Sequence, residues 1–141
     1  MDYKQFKIKE FRFWVVYLHT SQYFLGRVYI WSRRQGLVDL MDITMEEREE
    51  LFEIGRLLKN VLGEIFHPDL FNWASLGNLS AQCHVHLIPR YATIRNFAGI
   101  VFEDGRWGKN YAPYDYEFKV SDAILFQIRD TIKKKLELQT T

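Results

Sequence analysis

Near the middle of the chain, Gln82 to Leu87 alternate strictly, with Gln82, His84 and His86 at one parity and Cys83, Val85 and Leu87 at the other. A period of two belongs to a β-strand, whose successive side chains point to opposite faces. Cys83, Val85 and Leu87 can face a core, which leaves Gln82, His84 and His86 in a row on the other face, each roughly 6.5–7 Å from the next. Pro89 lacks an N–H and predicts the end of the strand, with Arg90 just beyond. Upstream, Gly77-Asn78 supplies a turn that tolerates unusual dihedrals and leaves backbone N–H groups accessible.

Three readings fit this row. The imidazoles are polar side chains on a solvated face; or His-x-His supplies two metal ligands; or one imidazole attacks phosphorus while its neighbour handles the leaving oxygen. A zinc site needs a third ligand, and the chain has only His19 and His67 besides, with no Cys-x-x-Cys. Spacing alone does not choose among them.

The run Q-C-H-V-H-L-I-P-R-Y resembles the signature of the histidine triad (HIT) superfamily, His-φ-His-φ-His-φ-φ with φ apolar. On that resemblance His86 takes the third histidine position, His84 the middle one, and Gln82 stands where the first would be. The preceding F-N-W-A-S-L-G-N and the earlier L-G-R-V-Y-I-W-S-R-R-Q resemble segments of bacterial HIT-like proteins, the latter ending in Gln35 where histidine is usual. The likeness spans roughly residues 11 to 112. It implies cleavage of a nucleotide at the α-phosphorus, or nucleotidyl transfer, of a polyphosphate or phosphoramidate through a covalent nucleotidyl-His84, with His86 and Gln82 alongside. It also implies substrate contacts from Asn72, Gly77, Asn78 and Arg90, and from one side chain of the first hairpin turn: His19, Ser21 or Gln22. No metal or other cofactor is required, and a homodimer is implied. The rival reading is a nucleotide-binding or regulatory module that has lost turnover, because both departures replace histidine by glutamine.

With 141 residues, 48% of them hydrophobic, the chain suits one domain with a real core. A net charge of +1 gives no broad attraction to nucleic acid or to an anionic membrane surface. The lone Cys83 excludes an internal disulfide and reads as a small core residue. No stretch reaches the roughly 20 apolar residues of a membrane span, and no secretion signal is evident, so cytoplasm is expected.

The expected fold is α+β: an antiparallel sheet of about five strands, one long helix and a C-terminal helix. Strands are predicted over Phe11 to Leu18, Gly26 to Trp31, Leu70 to Ala74, the histidine segment, and Phe97 to Glu103. Arg33 and Arg34 read as solvated. Thr44 and Glu47 form a capping box opening a helix from Met45 to Phe66, with Leu51, Ile54, Leu58, Val61, Leu62 and Ile65 in one stripe. The loop at Arg106 to Tyr111 is a source of cations, Arg106 or Lys109, for the cleft. Ser121-Asp122 caps the last helix, Lys133 to Lys135 suit its C-terminal dipole, and residues 136–141 are expected to fray.

Overall fold

The computed structural model describes residues 3–140. One five-stranded antiparallel sheet runs in the order β1-β2-β3-β5-β4, formed by β1 (Lys7–Glu10), β2 (Trp14–Leu18), β3 (Val28–Ser32), β4 (Leu70–Ala74) and β5 (His84–Arg90). A separate hairpin pairs β6 (Arg95–Phe97) with β7 (Ile100–Phe102). Two helices, α1 (Met45–Phe66) and α2 (Asp122–Thr140), complete the α+β fold. Among the described residues no helix is long and apolar enough to cross a membrane.

The expected count of five strands holds with one different member. β1 joins the sheet at its edge, and the Phe97 to Glu103 segment leaves it for the hairpin. The sequence of β1, K-I-K-E, is charged and short, as edge strands often are, and a register irregularity between Lys7 and Lys9 hides its period. The hairpin turns at Ala98 and Gly99, both with positive φ (52° and 79°), the geometry of a tight two-residue connection. Alanine seldom signals such a turn, which is why one strand was expected.

Strand β5 also continues through Pro89 to Arg90. Its pairing with β3 runs only from His84 to Leu87, whereas β4 pairs all the way to Arg90. The missing N–H of Pro89 therefore falls where one side of β5 has no partner strand.

Helix α1 begins and ends as its sequence predicts, with both halves of the capping box formed. Its buried stripe lies over the apolar face of the sheet, where Trp14, Val16, Val28, Ile30, Val85 and Leu87 join one core with α2's Ile128 and Ile132. Glu47 is not part of a solvated face. It is buried, and Arg34, itself still exposed to solvent, grips both its oxygens at 3.0 Å. Helix α2 is capped by the Ser121 hydroxyl and extends to Thr140, with Leu136 fully buried. Lys133 to Lys135 consequently lie inside it, and Lys135 meets Glu64 of α1 at 2.8 Å.

The turn joining β2 to β3 is built tightly. The buried Gln22 amide donates to the carbonyls of His19 and Arg27 and accepts from the Gly26 N–H at 2.7 Å. Gly26 has φ of 86°, and a Cβ there would stand 2.9 Å from the Phe66 ring. Gly26→Ala should therefore cost about 2 kcal/mol or more, from left-handed strain and crowding together. Urea unfolding checks this; a loss below about 0.5 kcal/mol would show that the turn is not so constrained.

Candidate functional site

The face of the sheet opposite α1 carries the histidines. Register places Trp31 directly across from His84, and Tyr29 directly across from His86. Val15 and Tyr17 of β2 extend the same two rows. Trp31 stacks on the His84 ring at 4.0 Å with an interplanar angle of 11°. His84 and His86 lie 4.9 Å apart, edge to face. The row is not a solvated one: His84 is 9% exposed.

His19, from the turn after β2, completes a cluster of three imidazoles, 5.6 Å from His86 and 5.0 Å from Tyr29. The hydrogen bonds fix which nitrogen of each ring carries the proton. His84 Nδ1 is 2.8 Å from the Gln82 carbonyl, which can only accept, so Nδ1 holds the hydrogen and Nε2 keeps a free lone pair. His19 Nδ1 accepts the Ser21 N–H at 3.0 Å, and His86 Nδ1 accepts from Arg27 Nη2 at 3.3 Å. Their protons sit on Nε2. The cluster thus holds one imidazole with a bare Nε2 and two with Nε2–H donors.

Both donors are held neutral. Burial, then the Arg27 charge, lowers His19 from the usual 6.5 to about 3. The same two causes in the same order bring His86 to about 3. Arg27 is itself 4% exposed. Its Nη1 donates to the Tyr114 hydroxyl at 3.1 Å, and the Tyr111 and Tyr114 rings lie 5.4 and 5.7 Å from its guanidinium carbon.

Other expected site residues fall differently. Arg90 is committed to the fold, not to a phosphate. Its guanidinium forms a bidentate pair with Asp104 at 2.7 and 3.2 Å and donates to Asn72 Oδ1 and to the carbonyls of Lys109 and Arg106. These bonds occupy all five of its N–H donors, and Asn72 is drawn into the same network. The Arg106 to Tyr111 loop accordingly lends Arg90 two carbonyls, and its last residue, Tyr111, sets its ring beside Arg27. Gln82 uses its NH₂ on the carbonyls of Ser32 and Arg34, at 2.8 and 3.0 Å, instead of holding it open for a phosphate oxygen. Gly77, with φ of 68°, and Asn78 are exposed in the loop before β5, and Gln35 is exposed in the turn after β3. Among the described residues no group of three or more His, Cys, Asp or Glu is placed to hold a metal ion.

Sequence reasoning missed Arg27, Tyr29 and Trp31. They share one parity of β3 and its lead-in, the signal that identified the histidines on β5.

The HIT domain matches residues 7–93. The chain belongs to the HIT domain family. Solved structures agree in fold. A histidine triad protein from Sinorhizobium meliloti has a TM-score of 0.76 and 15% identity, with 94% of this chain and 91% of that one covered. One from Marinobacter aquaeolei has a TM-score of 0.70 and 24% identity, covering 94% and 88%. A hypothetical histidine triad nucleotide-binding protein from Sulfolobus tokodaii has a TM-score of 0.71 and 11% identity, covering 96% and 85%. A comparison with curated proteins finds no match.

The neutral imidazoles of this HIT protein link site chemistry to stability. In the unfolded chain His19 and His86 take up protons near pH 6.5, whereas in the fold they stay neutral down to about 3. The unfolded state binds more protons in that window, so stability is full above about pH 6.5 and falls as the pH drops toward 3. Urea unfolding at pH 7.5 and 5 should show the lower stability at pH 5, with the His19 and His86 ring resonances unmoved between pH 8 and 5. Resonances that titrate near 6.5 would contradict the buried neutral rings.

Proposed function

We propose that this HIT protein cleaves or transfers a nucleotide at its α-phosphorus through His84. The observation that carries this reading is the bond from His84 Nδ1–H to the Gln82 carbonyl, which in the neutral ring orients the Nε2 lone pair for attack. Nε2 attacks phosphorus, the bond to the leaving group breaks, and a nucleotidyl-histidine forms. The positive charge that develops on the ring strengthens the bond to the Gln82 carbonyl. Water then attacks the same phosphorus, the P–N bond breaks, and a nucleoside monophosphate departs while the water's proton passes to solvent. Splitting one hard displacement into two is what a covalent intermediate contributes. The Nε2–H groups of His86 and His19, with the Gly77-Asn78 backbone, serve the phosphoryl oxygens, and no metal is required. The name of the Sulfolobus tokodaii relative, which describes nucleotide binding, agrees with this assignment.

A binding or regulatory module is the second reading, and the commitment of the Gln82 amide to backbone favours it, because no proton relay runs through that position. Mass spectrometry after incubation with dinucleoside polyphosphates and nucleoside phosphoramidates separates the two. An enzyme gains the mass of one nucleoside monophosphate on His84 and releases products; a module binds without either. His84→Ala should lower turnover at least about 10³-fold. It should also cost stability, because His84 is buried against Trp31. Parent-like turnover in that variant would remove His84 as nucleophile.

The homodimer implied by the family resemblance is part of this proposal. Its support is that β4 ends the sheet, with the exposed Trp73 lining a groove of about 600 Å³ together with Met41, Phe52, Gly55 and Val85 among others. Light scattering should give twice 17.0 kDa. The single-chain mass at micromolar concentration would exclude the dimer.

A further inference from the structure

Among the described residues, Arg27 is a buried cation without a carboxylate. Arg90, the other deeply buried arginine, is neutralised by Asp104, but no described residue forms an ion pair with Arg27 or a hydrogen bond with its Nε. Its polar contacts are the Tyr114 hydroxyl and His86 Nδ1. A guanidinium cannot accept a proton or a hydrogen bond, so Arg27 forces His86 Nδ1 to accept and leaves Nε2–H as its outward group.

Around the nucleophile, the neighbouring groups are poor proton donors to a leaving atom. Gln82 does not titrate, and its amide is tied to Ser32 and Arg34. His86 and His19 both face the Arg27 charge and are neutral near pH 7. Tyr29, across from His86, has its hydroxyl held protonated by burial, and Trp31 stacks on His84 with no acidic proton. These groups can donate hydrogen bonds, but not a proton at the moment of bond cleavage.

Resting on the His84 assignment above, we propose that Arg27 makes this site selective for phosphoanhydrides, whose leaving group departs as a phosphate anion, over phosphoramidates and alkyl esters, whose leaving group must be protonated. Arg27 is a positioning residue: it acts by holding His86 as a neutral hydrogen-bond donor. In the step itself, the P–N bond to His84 forms as the bond to the bridging oxygen breaks. The electron pair leaves with that oxygen as a terminal phosphate oxygen, which is stable in water at neutral pH. An amine leaving the same site would have to depart as an amide anion, which nothing here supports.

The test uses the full chain and needs no variant at first. Turnover is compared for a dinucleoside tetraphosphate, a nucleoside 5′-phosphoramidate of an alkylamine, and nucleotidyl aryl esters whose phenols span several units of acidity. The anhydride should exceed the phosphoramidate by at least about 10²-fold, the scale of a missing general acid, and the ester rates should fall steeply as the phenol becomes less acidic. Arg27→Gln removes the second of the two causes that keep His86 neutral, burial being the first, and the ratio of anhydride to phosphoramidate rates should narrow. Arg27→Lys, which keeps the charge, should retain most of the selectivity. A merely structural Arg27 would lower both rates together and leave the ratio unchanged, which would overturn the assignment. Equal rates for amine and phosphate leaving groups in the parent would overturn it even if Arg27→Gln does not fold. A nucleotidyl-histidine formed readily from phosphoramidates would sink this selectivity while leaving the His84 mechanism standing. Absence of any adduct or product would remove both.

Discussion

The β3–β5 register governs the site. Because side chains alternate with a period of two, a slip of one residue would turn His84 and His86 into the core and Val85 and Leu87 outward. What forbids that slip is on the other face: Val28, Ile30, Val85 and Leu87 are buried under the stripe of α1. The helix touches none of the imidazoles, yet its apolar contacts decide where they point. The same register brings Trp31 over His84 and Tyr29 beside His86, so two aromatic rings hold the two histidines without a dedicated loop.

The two buried arginines divide the electrostatics. Arg90 ends β5 in a closed network with Asp104, whose side chain is 0% exposed, and this pair fastens the 104–110 loop to the sheet. Removing one member of such a pair strands the other charge, so the network is a fixed point of the fold. Arg27 sits among histidines and tyrosines with no such partner among the described residues, and its charge helps to lower the His19 and His86 pKa values. The fold therefore sustains positive charge beside His86 and His19, at a desolvation cost to the protein.

Much of this was legible from residue pattern. The capping box at Thr44 and Glu47, the stripe of α1 and the parity of β5 are local signals, and each follows from one period or one turn. The His84 and His86 pair was found because two chemically distinctive residues share one strand face. The misreadings were tertiary. Arg90 looked like a phosphate ligand because its counter-ion, Asp104, is distant in sequence and resembled an ordinary turn residue. Glu47 was read only as a cap residue, and the Arg34 that also grips it comes from another element. Arg27 went unnoticed because nothing within its own strand shows that no carboxylate will meet it. Charge pairing across the fold is what a linear reading does not supply.

Gln82, where this chain departs from the triad pattern, shows how a substitution can be absorbed. The service that this position renders to His84 is made by its backbone carbonyl, which accepts from Nδ1–H whatever side chain is attached. The side chain does separate work: its two N–H groups meet the carbonyls of Ser32 and Arg34, just past the end of β3. A neutral imidazole has a single N–H and could satisfy only one of them. Glutamine thus ties the lead-in of β5 to the end of β3 more completely than histidine would, and it steadies the carbonyl that orients the His84 ring. A titratable side chain is absent at this position, and Arg27 beside His86 Nδ1 with burial keeps that ring neutral as well, so the row around His84 is ordered by hydrogen bonds to groups that do not ionise near neutral pH.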